Sequence, residues 1–137
     1  MTSELELIGR ILFAAVLGAG IGLERELAGK PAGLRTHALI CLGSALFTVA
    51  SYEGFGTGEI DWVDPSRVAA GVVTGIGFLG AGTIIRGHEG SISGLTTAAS
   101  IWSIAAVGIA VGAGIYLIAA VAALLIMMIL AIPKINE

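Results

Sequence analysis

Apolar positions in this chain come in long runs, and charged positions collect in the gaps between them. The first run covers 5–23, with Glu6 near its start and Arg10 inside it. The second covers 36–52, with His37 at its opening, and the third covers 67–85, with Arg67 as its first residue. From Gly94 to Ile132 there is no charge at all. Spanning a bilayer as an α-helix takes about 20 apolar residues. The last run, as one helix, would reach about 58 Å, twice the hydrocarbon thickness. It must therefore fold back, and Gly112-Ala113-Gly114 is the expected break because glycine weakens a helix and accepts positive φ. The pattern predicts an all-α, polytopic transmembrane helical bundle: a single domain over 1–137 with about five spans, at 5–23, 36–52, 67–85, 95–111 and 115–132. Pro133 stops the last span.

The acidic start, with Glu4 and Glu6, is unlike a cleavable signal peptide, so the first span is expected to be retained. Five spans put the two ends of the chain on opposite sides. Arg25, Lys30, Arg35, Arg86 and Lys134 fall on one side, Arg10 and Arg67 on the other. The positive-inside rule then makes the first side cytoplasmic, with the N-terminus outside and the C-terminus inside. Glu4, Glu6, Glu53, Glu59, Asp61 and Asp64 lie on the outer side. No inverted repeat is visible.

Composition sharpens the class. Hydrophobic residues make up 56% of the 137 and charged residues 12%, half the usual share of a soluble domain, so a soluble globular enzyme is excluded. High hydrophobicity excludes disorder. A net charge of −3 without a basic run gives no reason to expect nucleic acid as a partner. The single cysteine, Cys41, allows no internal disulfide.

Gly75-Ile76-Gly77-Phe78-Leu79-Gly80 has the spacing of a dinucleotide loop, but it lies inside an apolar run rather than after a strand. Packing is the better reading. Gly18/Gly22, Gly71/Gly75 and Gly108/Gly112 are each four apart, which puts each pair on one helix face and lets backbones approach. A compact bundle, or a homodimer or higher oligomer, follows. Gly77, Gly80 and Gly82 add to the third span, where either crowding or a kinked, cavity-lining segment accounts for them. Small polar side chains, hydroxyls with the Cys41 thiol, also stripe helix faces: Cys41, Ser44, Thr48 and Ser51 in the second span, and Thr96, Ser100 and Ser103 in the fourth, with Thr97 beside them. They serve interhelical hydrogen bonds or line a polar path through Ser44, Thr48, Ser100 and Ser103.

The polar stretch from Glu24 to His37 sits between two apolar runs, at the membrane boundary where charges tend to be paired. It is either a plain cytoplasmic loop or an organising charge cluster. Glu26 and Lys30 are four apart and can pair, as can Glu6 and Arg10. Asp64-Pro65 and Ser93 read as helix starts, with Asp64 and Ser93 as caps. No carboxylate lies inside spans two to five, and no nucleophile–base pair or metal cluster is apparent. No enzymatic chemistry, catalytic residue, cofactor or metal ligand set is therefore expected.

Gly22-Leu23-Glu24-Arg25-Glu26 with Lys30, then Ala32-Gly33-Leu34-Arg35-Thr36-His37, resembles the first signature of the MgtC/SapB membrane protein family. Gly75 to Gly82, followed by Gly94-Leu95-Thr96-Thr97-Ala98-Ala99 and Trp102, resembles its second. The resemblance covers about residues 7–125. It implies a bacterial inner-membrane protein with several spans, associated with adaptation to low magnesium and, in some members, with survival in host macrophages or restraint of the F-type ATP synthase. Many members add a soluble C-terminal domain. This chain is expected to lack it or to have had it trimmed, and nothing assigned to that domain carries over. The expected functional surface is the cytoplasmic boundary of Glu24, Arg25, Glu26, Lys30, Arg35, Thr36 and His37, facing Arg86, Thr96 and Thr97. Two functions compete: a regulator acting by contact with other membrane proteins, and a channel or carrier for a small solute or hydrated divalent cation.

Overall fold

The computed structural model describes residues 2–55 and 63–135, and over them the chain is an all-α bundle with one small hairpin. Glu59 and Asp61, counted above with the acidic side, lie outside the described residues. Helix α1 runs Glu4–Leu27. The Ser3 hydroxyl accepts from the Glu6 amide at 3.2 Å, and Glu4 and Glu6 place negative charge in the first turn. The helix continues past the apolar stretch because Glu24, Arg25, Glu26 and Leu27 are all good helix formers. The charge motif therefore stands on a helix rather than in a loop.

Helix α2 covers Leu34–Val49 and runs on through a wider turn, Ala50–Gly54. Helix α3 covers Ser66–Gly82 and is opened by Asp64, whose carboxylate accepts from the Ser66 amide at 2.9 Å. Strands β1 (Ile85–Arg86) and β2 (Ile92–Ser93) pair antiparallel, with Ile85 opposite Ser93. Ser93 thus belongs to a strand and does not cap the next helix, α4 (Leu95–Gly112). That place is taken by Gly94 at φ 88°, where the Thr83 carbonyl occupies the position of any added Cβ. Close backbone approach overrides the sequence preference for a hydroxyl cap. Helix α4 stops at Gly112, Gly114 turns at φ 83°, and α5 follows over Tyr116–Leu130.

Three of these helical stretches, Glu4–Leu27, Leu34–Gly54 and Leu95–Gly112, are long and apolar enough to cross a membrane, while α3 and α5 are shorter apolar helices. Large apolar side chains face outward, among them Leu5, Leu12, Phe78, Leu117 and Ile118. That is the pattern of a membrane protein, whose outer surface meets lipid. The core lies where α1, α2, α4 and α5 meet, around Ala14, Ile21, Cys41, Ala45, Ile104, Val111 and Ala119. A smaller cluster, Ile76, Ile101 and Ala105, joins α3 to α4.

Glycine decides which helices close on one another. At Gly18 an added Cβ would lie 2.5 Å from the His37 carbonyl oxygen, and at Gly22 it would lie 2.6 Å from Leu34 Cα. At Gly112 it would lie 2.6 Å from the Ala45 carbonyl oxygen, and at Gly108 it would strike that of Cys41. The pairs on α1 and α4 are therefore both spent against α2, inside the chain. The α3 glycines differ. Gly71, Gly75, Gly77 and Gly82 meet nothing within 4 Å, and Gly80 touches Ala98 only at 3.7 Å. Helix α3 leans on α4, and its glycine face is left open.

Candidate functional site

Contacts between helices sort the polar groups into two ends. Helices α2 and α4 run parallel, so the openings of both lie together, and the end of α5 joins them through Arg25. The residues from Glu24 to His37, the hairpin and Thr96/Thr97 share this end, which also carries Arg35, Arg86 and Lys134. At the other end Thr2 donates to Glu53 at 2.7 Å, and Arg10 reaches the α4–α5 turn.

Arg25 is 3% exposed. Its Nε and Nη2 donate to the two carboxylate oxygens of the adjacent Glu24, at 2.6 and 2.9 Å. Nη2 also reaches the Leu130 carbonyl at 3.1 Å, one of the orphan acceptors at the end of α5. A cation beside a helix C-terminus is favoured by the dipole, and the paired carboxylate offsets the cost of burying it. The pair thus fastens α5 to α1.

His37 is fully buried. Its Nδ1 lies 3.0 Å from the Gly33 carbonyl, so Nδ1 carries a proton and donates. Nε2 lies 3.0 Å from the Ser100 hydroxyl, which is also 2.8 Å from the Thr97 carbonyl. That hydroxyl has two acceptors in reach and one proton. The ring bridges α2 to α4 exactly where Thr97, half of the Thr-Thr pair, is buried.

Glu26 does not pair with Lys30. Its carboxylate accepts from the Leu34 amide at 2.9 Å and so caps α2, whose own cap position, Gly33, has no side chain. An orphan amide at a helix start offers a fixed partner, and the exposed ammonium does not. Lys30, Arg35, Arg86 and Thr96 are exposed, and Thr36 is half-buried. The structure gathers these residues at one end, but the contacts that organise it run through Glu24, Arg25, Glu26, His37 and Ser100. Sequence reasoning placed Ser100 on a path and missed Leu130 altogether, because a backbone carbonyl leaves no mark in residue type.

The hydroxyl stripes mostly close on the backbone. Thr48 donates to the Ser44 carbonyl at 2.8 Å, and Ser51 donates to that of Pro65 at 2.8 Å. Of the expected path residues, Ser44 alone lines the larger described cavity, between α2 and α3. Ser103 is half-buried on α4. Among the described residues no three His, Cys, Asp or Glu side chains converge as a metal site would require.

The sequence profile of the MgtC family matches residues 11–137. The chain belongs to the MgtC family. Among its relatives, YhiD of Escherichia coli K12, provisionally named a magnesium transporter, is 53% identical over 114 residues, covering 81% of this chain and 53% of YhiD. MgtC of Brucella abortus is 46% identical over 122 residues, covering 88% of this chain and 48% of that protein. SapB of Bacillus subtilis is 41% identical over 114 residues, 81% of this chain and 49% of SapB. The chain thus spans about half the length of the curated relatives it matches. No solved structure matches it. Both signature stretches of the MgtC family fall at one end of the bundle or lead into it: the first carries Glu24, Arg25 and His37, and the second carries Thr97, next to Ser100 at the opening of α4.

Proposed function

We propose that this chain is the membrane part of a regulator used in adaptation to low magnesium, acting through contacts with other membrane proteins and not as an enzyme. The family and its magnesium-linked names support the setting. The observation that carries the contact reading is the closed interior: Thr48 and Ser100 are tied to backbone carbonyls, and neither described cavity reaches them. A path for a hydrated cation needs free oxygen ligands along its length. The working surface is the end carrying Glu24, Arg25, Glu26, Lys30, Arg35, Thr36 and His37 with Arg86, Thr96 and Thr97. In this reading it faces the cytoplasm of the bacterial inner membrane, with the N-terminus outside.

The test is purified full chain in liposomes, assayed for Mg²⁺ and small-solute flux across a gradient. The expected result is no flux above empty liposomes, while Glu24→Gln and Arg35→Gln abolish growth complementation at low magnesium with membrane levels unchanged. Flux that disappears in those two variants overturns the reading in favour of a carrier. Thiol labelling of Ser3→Cys and Asn136→Cys from opposite faces checks the orientation, and labelling of both from one face contradicts it.

A further inference from the structure

Between α2 and α3 the bundle opens into a lateral groove of about 680 Å³. Its floor is glycine: Gly43, Gly71 and Gly75 line it, and none has a neighbour within 4 Å of an added Cβ. Leu39, Phe47 and Val72 form the walls, and no charged residue lines it. Ser44 is the one hydroxyl on that lining and is 3% exposed. Thr48 and Ser51 each donate to a backbone carbonyl and Ser100 has two acceptors in reach, whereas the Ser44 hydroxyl enters no hydrogen bond among the described residues.

We propose that this groove seats one transmembrane helix of another membrane protein, which offers a hydrogen-bonding side chain to Ser44. The depth of Ser44 points to a helix. It stands midway along the stretch Leu34–Gly54, about 15 Å from either end, which for a helix crossing the bilayer is the middle of the hydrocarbon layer. A phospholipid presents only methylene groups at that depth. A helix carries side chains at every depth, and hydroxyl or amide groups there bond across helix pairs. The glycine floor lets a backbone come close. A second copy is the competing occupant, and a dimer lost on filling the groove would reveal it. This inference rests on the contact reading above and adds to the surface at the helix ends a second contact, inside the membrane.

The test uses the full chain in phospholipid vesicles with two labelled synthetic transmembrane peptides as probes. Both are Leu/Ala helices, one with a central Asn and one with Leu in its place, and association is read by energy transfer. The Asn peptide is expected to bind roughly threefold to tenfold more tightly. Ser44→Ala removes that difference. Gly71→Leu and Gly75→Leu fill the groove and abolish binding of both peptides; an added Cβ at either position meets nothing within 4 Å, and unchanged thermal unfolding of the variants checks that the bundle is intact. Equal binding of the two peptides, no binding of either, or a dimer of the chain that Gly71→Leu dissociates overturns the proposal. None of these outcomes involves solute flux, so the groove can fail while the contact reading stands. Flux lost on Glu24→Gln would defeat that reading on its own evidence.

Discussion

The imidazole of His37 lies 3.0 Å from the hydroxyl of Ser100, 63 positions further along the chain. With Nδ1 donating to the Gly33 carbonyl, Nε2 shares the one Ser100 proton with the Thr97 carbonyl in a fully buried site. The ring thereby ties the first family signature to α4, whose first turns carry the end of the second.

His37→Ala is expected to destabilise the bundle by about 1–3 kcal/mol from broken buried hydrogen bonds, with the cost of a cavity added. Thermal unfolding of the purified protein measures it. Combined with Ser100→Ala, the losses should fall short of additive by about 1 kcal/mol. Strict additivity would mean that the contact contributes nothing.

Glycines in this chain should divide by helix. Gly18→Ala forces a Cβ to within 2.5 Å of the His37 carbonyl oxygen and 2.7 Å of Cys41 Cβ. A loss of about 1–3 kcal/mol is expected from overpacking. Gly77→Ala on α3 meets nothing within 4 Å and gains helix propensity, so stability should hold or rise by up to about 1 kcal/mol. Melting temperatures of the two variants moving in the same direction would contradict the packing described.

Arg10 is the staple of the opposite end. It donates to the Gly112 carbonyl at 2.7 Å, to the Tyr116 hydroxyl at 2.9 Å and to Glu6 at 2.8 Å, with its side chain 12% exposed. Arg10→Met strands the Gly112 carbonyl at the end of α4 and is expected to cost about 2 kcal/mol. Amide exchange at Gly114 and Ile115 should quicken in the variant. Unchanged exchange would show that the α4–α5 turn holds without Arg10.

Asp64 makes the start of α3 sensitive to acid. Hydrogen bonds from the Ser66 hydroxyl and amide hold its carboxyl below the ordinary carboxylate range. A lowered value means that the folded state prefers the carboxylate. The stabilisation is complete above the ordinary value and fades as pH falls through the lowered one. Amide exchange at Ser66 to Val68, followed between about pH 5 and about pH 2 after correction for intrinsic rates, should show growing fraying. Asp64→Asn, which still caps but does not titrate, should remove that trend.

Much of this architecture was legible in the sequence. The membrane class, the helices near 5–23, 36–52, 67–85, 95–111 and 115–132, and the sharing of one end by Arg25, Arg35 and Arg86 all follow from runs of apolar residues, since hydropathy accumulates locally along the chain. The turn at Gly114 follows from glycine's tolerance of positive φ. Family membership rests on contiguous motifs, which are equally local.

Tertiary structure alone decided which partner each group takes. Glu26 had Lys30 within reach by helical spacing, yet caps Leu34, because the α1–α2 turn brings a bare amide to its carboxylate. Arg25 meets Leu130 across 105 positions, a contact with a carbonyl that no residue type announces. Gly18 and Gly71 look alike in sequence, each opening a four-residue glycine pair, but the rotation of α1 turns Gly18 into α2 and that of α3 leaves Gly71 open. A helix's rotation is set by every side chain along its contact, and those partners lie in other helices. Periodicity says that a face exists; only the packed bundle says what it faces.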